Sequence, residues 1–384
     1  MRFLHCSDLH IGRKLHGYSM IDDQRHILGE MCRIAREKEV DAILVAGDVY
    51  DTTIPNEDAV NLLDEFLTEA VSICPVYVVA GNHDSVERLS FMKTLLGRQN
   101  VFVTGRYDGR AEKFTVEDAE GKLNIFLLPY TKTSVVRTWC RRNGLDADAI
   151  ETPDAAFSLT LGRSEIEPSE RNVLVAHEFV AGKGIQLEKS DSEISSLDPV
   201  GGADCISYEL LAPFDYVALG HIHRPQRAGR DTVLYCGSPL KYSASEIKDE
   251  KHAVIVDVRG KGDVSVETVP LVPKRRMVRL HGTVEEMLAQ SDSYRDEYVV
   301  AELTERADNP SDRLSEVFRL VELKRLYEVQ REEGVGESTT LEEIRTTSPQ
   351  ELFARFYQEM KGEALSRNQM RVIEEITDEA GRCQ

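Results

Sequence analysis

The sequence has no run of about 18 or more apolar residues, so no membrane span is expected. The segment from Met1 to Asp8 lacks the long apolar core and small-residue cleavage site of a secretory leader, and a cytoplasmic protein is expected. No Cys-x-x-Cys pair occurs, and the seven cysteines (6, 32, 74, 140, 205, 236 and 383) are odd in number and widely scattered. That spacing argues against a disulfide framework or a zinc ribbon and favours buried free thiols. Positive charge is also scarce: 47 Lys and Arg stand against 67 Asp and Glu, a formal net charge of −20. A protein that grips nucleic acid by bulk positive charge alone is therefore excluded. A nuclease is not, because bound metal ions are the largest local charges in such a site and phosphate contact needs only a local basic face.

The first part of the chain alternates short apolar strands with amphipathic helices. Phe3–Cys6, Ala42–Ala46 and Val76–Ala80 read as strands, with helices over 20–38 and after Pro55-Asn56, the latter striped by Val60, Leu63, Phe66, Leu67 and Ala70. Asp84 with Glu87 reads as the capping box of a further helix. This βαβαβ order implies an α/β protein with a parallel sheet. Later strands, near 124–128, 173–176, 216–219, 233–235, 253–258 and 264–269, come with fewer helices, and a second, more antiparallel sheet is expected. Beyond Pro273 the pattern becomes that of a small α/β unit with its own core. The expected divisions are 1–272, a catalytic domain; 273–330, the small domain; 331–347, an acidic, turn-rich linker; and 348–384, two short capped helices begun by Ser348-Pro349-Gln350-Glu351 and Ser366-Arg367-Asn368-Gln369.

Five segments place metal-ligand residue types just after an expected strand: Ser7-Asp8-Leu9-His10, Gly47-Asp48, Gly81-Asn82-His83-Asp84, Ala176-His177 and Gly220-His221-Ile222-His223. Strand C-termini are where α/β sheets build sites. Residues one position apart on an extended chain point the same way, so Asp8 with His10, and His221 with His223, each converge on one locus. Asp48 can bridge two ions, and Asn82 adds a neutral oxygen. The set holds carboxylates, imidazoles and one amide with no thiolate, which suits manganese, iron or zinc rather than a structural zinc. Two such ions about 3.5–4 Å apart can activate water and clamp a phosphate. Each piece alone has a bland reading: a lone His177 is more often structural, and Asp84 can be only a helix cap. Their order is what points to a binuclear site.

These segments resemble the calcineurin-like metallophosphoesterase superfamily, with its D-x-H, G-D, G-N-H-D, single H and G-H-x-H motifs. Within it the chain is similar to the SbcD family of nuclease subunits, through Cys6 to Gly12, Gly47-Asp48-Val49-Tyr50-Asp51, Leu219 to Gln226 and Tyr235 to Pro239. The resemblance implies a four-layer αββα sandwich, a small α/β capping domain and a C-terminal helical hairpin. It implies one ion held by Asp8, His10, Asp48 and His223, a second held by Asp48, Asn82, His177 and His221, and manganese as the metal. His83 would be the general acid or transition-state stabiliser, with Asp84 orienting it. Archaeal and eukaryotic relatives carry a second active-site histidine where this chain has Asp51. The resemblance further implies homodimerisation through helices near 55–71 and 85–96, and an SbcC-type ATPase partner docked on the C-terminal helices.

Three functions follow. The leading one is a metal-dependent DNA nuclease acting as an exonuclease on duplex ends and an endonuclease on single strands or hairpins, in DNA repair, recombination and replication. DNA contacts are expected from Lys132, Arg137, Arg141 and Arg142 or from Lys274, Arg275 and Arg276, although basic clusters are usually solvated faces. A small-molecule phosphatase or cyclic-nucleotide phosphodiesterase would use the same site. A scaffold that kept the fold without catalysis is the third, and the intact ligand set argues against it.

Overall fold

The computed structural model describes residues 1–182, 187–193, 205–327, 348–361, 365–366 and 369–373. The expected linker 331–347 and Cys383 lie outside these residues. The chain divides into two compact units, Met1–Leu326 and Tyr327–Gln384.

Two six-stranded sheets form the centre of the first unit. In the first sheet the strands Arg2–Cys6, Ala42–Ala46, Val76–Val79 and Val101–Thr104 run parallel, extended by the antiparallel strands His252–Val258 and Val264–Pro270. In the second, Gly121–Leu128, Arg171–His177, Tyr216–Gly220 and Val233–Tyr235 are parallel, with antiparallel strands Glu112–Asp118 and Gln226–Arg227 at the edges. The expectation of a more antiparallel second sheet is thus corrected: both sheets have four parallel strands. In the second sheet the crossover from Gly121–Leu128 to Arg171–His177 runs through the helices Thr133–Arg142 and Pro153–Gly162, of which only the first is amphipathic.

Strand alternation builds the layers. Phe3, Leu44, Ala46, Tyr77 and Val79 face Ile125, Leu127, Val173, Val175, Tyr216 and Ala218 in a core between the sheets. The alternate residues Leu4, Ile43, Val45 and Val78 pack outward under the helices Ile21–Glu37 and Glu57–Val71. Phe126, Leu174, Ala176, Val217 and Leu219 pack outward from the second sheet against Phe157 and Phe214. The result is the αββα sandwich that the sequence implied.

Two local expectations change. Ser85, not Asp84, caps the Val86–Leu89 helix, its hydroxyl accepting from Arg88 N. Val60 does not belong to the buried stripe: the Glu57–Val71 helix buries Ala59, Leu62, Leu63, Phe66 and Ala70 and leaves Val60 46% exposed.

Residues 277–325 form a parallel three-stranded sheet, Met277–Gly282, Tyr298–Leu303 and Arg319–Arg325, with short helices between the strands. Met277, Tyr298, Val300 and Val321 join the same apolar cluster as Met20 and Leu240. Asp23, buried on the Ile21–Glu37 helix, accepts from Arg275 Nη1 at 2.6 Å and from Tyr298 Oη at 2.9 Å, a charge-assisted tie between the small sheet and the large one. In the second unit the Pro349–Lys361 helix is present, begun by Ser348 as expected, and Ser366 accepts from Gln369 N at a second start.

Candidate metal centre

All five motifs end on one rim, at the C-terminal ends of the parallel strands of both sheets. Asp8 follows Arg2–Cys6, Asp48 follows Ala42–Ala46, Asn82 follows Val76–Val79, His177 closes Arg171–His177 and His221 follows Tyr216–Gly220. The seven ligand-type side chains form one unbroken cluster. His10 Nε2 lies 3.0 Å from His223 Nε2 and 3.6 Å from Asp48 Oδ2. Asp48 Oδ2 lies 3.4 Å from His177 Nε2, and Asn82 Oδ1 sits 3.0 Å from both His177 Nε2 and His221 Nδ1. Asp8 Oδ1 is 4.0 Å from His223 Nε2 and accepts from His221 N at 3.0 Å. Asp8 and His177 are wholly buried, and Asp48 and His223 nearly so.

The backbone is bent to make this cluster. Asp8, His10, Asp48 and His221 have φ of 52°, 44°, 49° and 93°, a region that side-chain-bearing residues rarely adopt. Such strain concentrates at functional sites. The motif glycines have a steric cause. A Cβ on Gly47 would lie 2.2 Å from His177 Nδ1, one on Gly81 2.1 Å from Asp48 Oδ1, and one on Gly220 1.9 Å from Ala46 O.

Electrostatics agree with the packing. Burial opposes charge on His177, but the carboxylates of Asp48 and Asp8 outweigh it and raise its pKa to about 10. Burial also works against ionised Asp48, yet His177, His10 and His83 hold it well below the usual carboxylate range. Burial and the charge of His177 lower His221 to about 3, and burial puts His223 well below its ordinary value. The donors fit a cation. His177 Nδ1 lies 2.8 Å from the Ala46 carbonyl, which can only accept, so in the neutral ring the proton stays there and Nε2 turns its lone pair to Asp48 and Asn82. The groups Asp8–His10–His223, His10–Asp48–His83 and Asp8–Asp48–His177 each bring three donor atoms within 4.8 Å of one another.

His83 stands beside the cluster. Its backbone N donates to Asp48 Oδ1 at 2.9 Å, its Nδ1 meets the Asp51 carbonyl at 3.0 Å, and its ring meets His10 edge-on with centroids 4.9 Å apart. Asp84 does not orient it, contrary to expectation. Its carboxylate accepts from Val49 N, Tyr50 N and Gly81 N and so ties the Gly-Asp loop to the Gly-Asn-His-Asp loop. Burial and the charge of Asp48 push Asp84 up to about 6.

Other residues at the site carry no spacing signal. Asp51 places its carboxylate 3.3 Å from His10 Nδ1 and 2.9 Å from Arg13 Nη1. Tyr130 stacks on His221 with centroids 6.1 Å apart, and Phe179 meets His221 edge-on at 6.3 Å. Among the basic candidates, Lys132, Arg141, Arg142, Lys274 and Arg276 are exposed. Arg137 instead donates to the Ile150 carbonyl, Arg275 pairs with Asp23 and Arg276 with Glu297, so these three have structural partners.

Residues 1–225 match the family model described as calcineurin-like phosphoesterase, and residues 273–361 match one described as type 5 capsule protein repressor C-terminal domain. A relative from Staphylococcus saprophyticus, named as the SbcD subunit of nuclease SbcCD, is 27% identical over 98% of this chain and 97% of its own. One of the same name from Staphylococcus epidermidis is 28% identical over 76% of this chain and 75% of its own. Among solved structures, a dimetal phosphatase from Danio rerio aligns with 70% of this chain and 98% of its own at 14% identity and a TM-score of 0.38. Protein TT1561 of Thermus thermophilus aligns over the same shares at 11% identity and a TM-score of 0.40. Among the described residues, no helix is long and apolar enough to cross a membrane.

Proposed function

The chain belongs to the calcineurin-like phosphoesterase family, and on that premise we propose that this metal-dependent phosphodiester hydrolase is a DNA nuclease. The observation that carries the reading is the unbroken cluster of Asp8, His10, Asp48, Asn82, His177, His221 and His223 with His83 at its side. Asp8, His10, Asp48 and His223 would hold one divalent ion, and Asp48, Asn82, His177 and His221 the other. When bound, two such ions supply positive charge against the phosphate and favour attack by water. The mixed oxygen and nitrogen donors, without thiolate, suit manganese.

His83 has a separate task. The Asp51 carbonyl can only accept, so Nδ1 keeps its proton there, and the proton given to the leaving oxygen is the second one, carried on Nε2 in the imidazolium form, which leaves a neutral ring behind. Substrate identity rests on the names of the two staphylococcal relatives and on the match of residues 273–361. By the same likeness, the protein acts as an exonuclease on duplex ends and an endonuclease on single strands or hairpins. It works with an SbcC-type ATPase docked on the helices of 348–384. Homodimerisation uses the helices near 55–71 and 85–96, where exposed Val60, Phe91, Met92 and Leu95 favour a covered face.

The direct test is cleavage of end-labelled duplex and hairpin oligonucleotides by the purified protein, with Mn2+ or with chelator, alone and with its co-purified ATPase. Metal-dependent cleavage is expected. Turnover of nitrophenyl phosphate or a cyclic nucleotide with no cleavage of DNA under any of these conditions would overturn the reading in favour of a small-molecule phosphoesterase.

Metal uptake carries its own pH signature. His177 is charged below a pKa of about 10 and must be neutral to hold a metal, whereas His221, lowered to about 3, and His223, lowered further, are already neutral. Binding at pH 8 should therefore release the His177 proton, and affinity should climb as pH rises toward the His177 pKa of about 10. Calorimetry in buffers of different ionisation enthalpy measures this release; a heat independent of buffer would contradict it.

A further inference from the structure

We propose that Ser192, backed by Glu246, is a positioning residue that fixes His223 as a donor through Nε2. The inference rests on the reading of His223 as a metal ligand and adds what holds it in the required form.

His223 is gripped at three atoms. Its backbone N donates to Glu193 Oε1 at 2.5 Å, its carbonyl accepts from Lys251 Nζ at 2.8 Å, and its Nδ1 lies 2.7 Å from Ser192 Oγ. The hydroxyl of Ser192 in turn donates to Glu246 Oε1 at 2.6 Å. Glu246 is wholly buried, and its other oxygen accepts from Lys251 Nζ at 2.7 Å. Tyr242 N and the hydroxyl of Ser243 also donate to Oε1.

Counting protons decides the tautomer. A carboxylate facing a lysine is an acceptor only, and a serine hydroxyl has one proton. That proton goes to Glu246, or to Ser190 Oγ 2.7 Å away, and in either case the hydroxyl oxygen accepts from His223, so the imidazole proton sits on Nδ1. The lone pair is then on Nε2, the atom that lies 3.0 Å from His10 Nε2 and 4.0 Å from Asp8 Oδ1. On the opposite side, the Asp51 carboxylate lies 3.3 Å from His10 Nδ1, an atom that makes no hydrogen bond, and its charge favours the proton on that nitrogen. Two Nε2 lone pairs therefore converge from opposite sides, an arrangement that a cation between them satisfies. Without the serine, the nearest acceptor for the Nδ1 proton is Glu246 Oε1 at 4.0 Å, beyond hydrogen-bond reach, and the other tautomer of His223 would put an N–H into the metal locus. Partners that fix a ligand's tautomer in this way commonly govern affinity by about 10- to 100-fold.

The test uses the full chain with Ser192→Ala, Ser192→Thr and Glu246→Gln. Two readouts do not involve DNA: Mn2+ affinity by electron paramagnetic resonance titration, and the tautomer of His223 in the metal-free protein by 15N NMR of labelled histidine. The native protein should show the Nδ1–H form. Ser192→Ala should lose about 10- to 100-fold in affinity with the proton moved to Nε2. Ser192→Thr, which keeps the hydroxyl, should restore most of the affinity. In Glu246→Gln the amide oxygen stays at the Oε1 position, where Tyr242 N and Ser243 Oγ also donate to it, so Ser192 keeps its acceptor and the native tautomer should persist. Native affinity and native tautomer in Ser192→Ala would sink the relay alone. Should Ser192→Ala fail to fold, an Nε2–H form of His223 in the native protein would sink it by itself. A native protein that takes up no Mn2+ would remove the ligand reading, and the relay with it.

Discussion

Replacing His83 by alanine is expected to leave metal uptake intact and to lower phosphodiester cleavage by about 10²- to 10⁴-fold, the range of a lost general acid. The main-chain tie survives the change, because it is the backbone N of His83 that donates to Asp48 Oδ1. The ring's own partner is the Asp51 carbonyl, outside the donor cluster. His83 also lies within donor distance of His10 and Asp48, so a ligand role is the competing outcome. Two measurements separate them. A ligand's loss would lower Mn2+ affinity, whereas loss of the acid would not. An acid is also needed least where the leaving group is already stable as an anion. A nitrophenyl phosphodiester should therefore lose much less rate than DNA in His83→Ala. Equal losses on both substrates, or a fall in metal content, would move His83 from acid to ligand or scaffold.

The motif residues were legible in the sequence because each announces itself locally. In every motif a donor follows a strand end, with a glycine just before it in three of the five, and the fold then brings the rims of two sheets together. What the sequence hid were contacts between distant positions. Asp84 and Ser85 are both good caps, and nothing nearby says that Asp84 is already engaged by Val49 N, Tyr50 N and Gly81 N, two of them more than 30 residues away. Ser192 and Glu246 are 54 positions apart, and neither spacing nor periodicity joins them to His223. The parallel order of the second sheet is hidden because the Pro153–Gly162 helix in its crossover has almost no amphipathic pattern. Val60 alone departs from its stripe: Leu63, Phe66 and Ala70 are buried as expected, and at the first turn the buried position is the small neighbour Ala59. The basic candidates divided on the same ground: a cluster of arginines looks alike in sequence whether it faces solvent or, like Arg275, satisfies a buried aspartate.

The glycines offer the second large effect, one that separates site from scaffold. Gly220→Ala is expected to destabilise the fold by about 3 kcal/mol or more, the upper end of overpacking, because the clash is with backbone rather than with a side chain that can turn away. The new methyl would lie 1.9 Å from Ala46 O and 2.8 Å from His177 Nδ1. Those two atoms are themselves hydrogen-bonded at 2.8 Å, so the methyl would part the contact that fixes the tautomer of His177. Metal affinity should therefore fall even in the fraction that folds. Gly29→Ala is the control. Gly29 lies within the Ile21–Glu37 helix, and a Cβ there meets nothing within 4 Å. Alanine is the better helix former by about 1 kcal/mol, so this variant should be neutral or more stable with unchanged Mn2+ binding. Urea unfolding paired with a Mn2+ titration reads both variants. The steric account of the Gly-His-x-His motif requires stability and metal affinity to fall together in Gly220→Ala; native Mn2+ affinity in that variant would show that the glycine serves the strand end and not the metal centre.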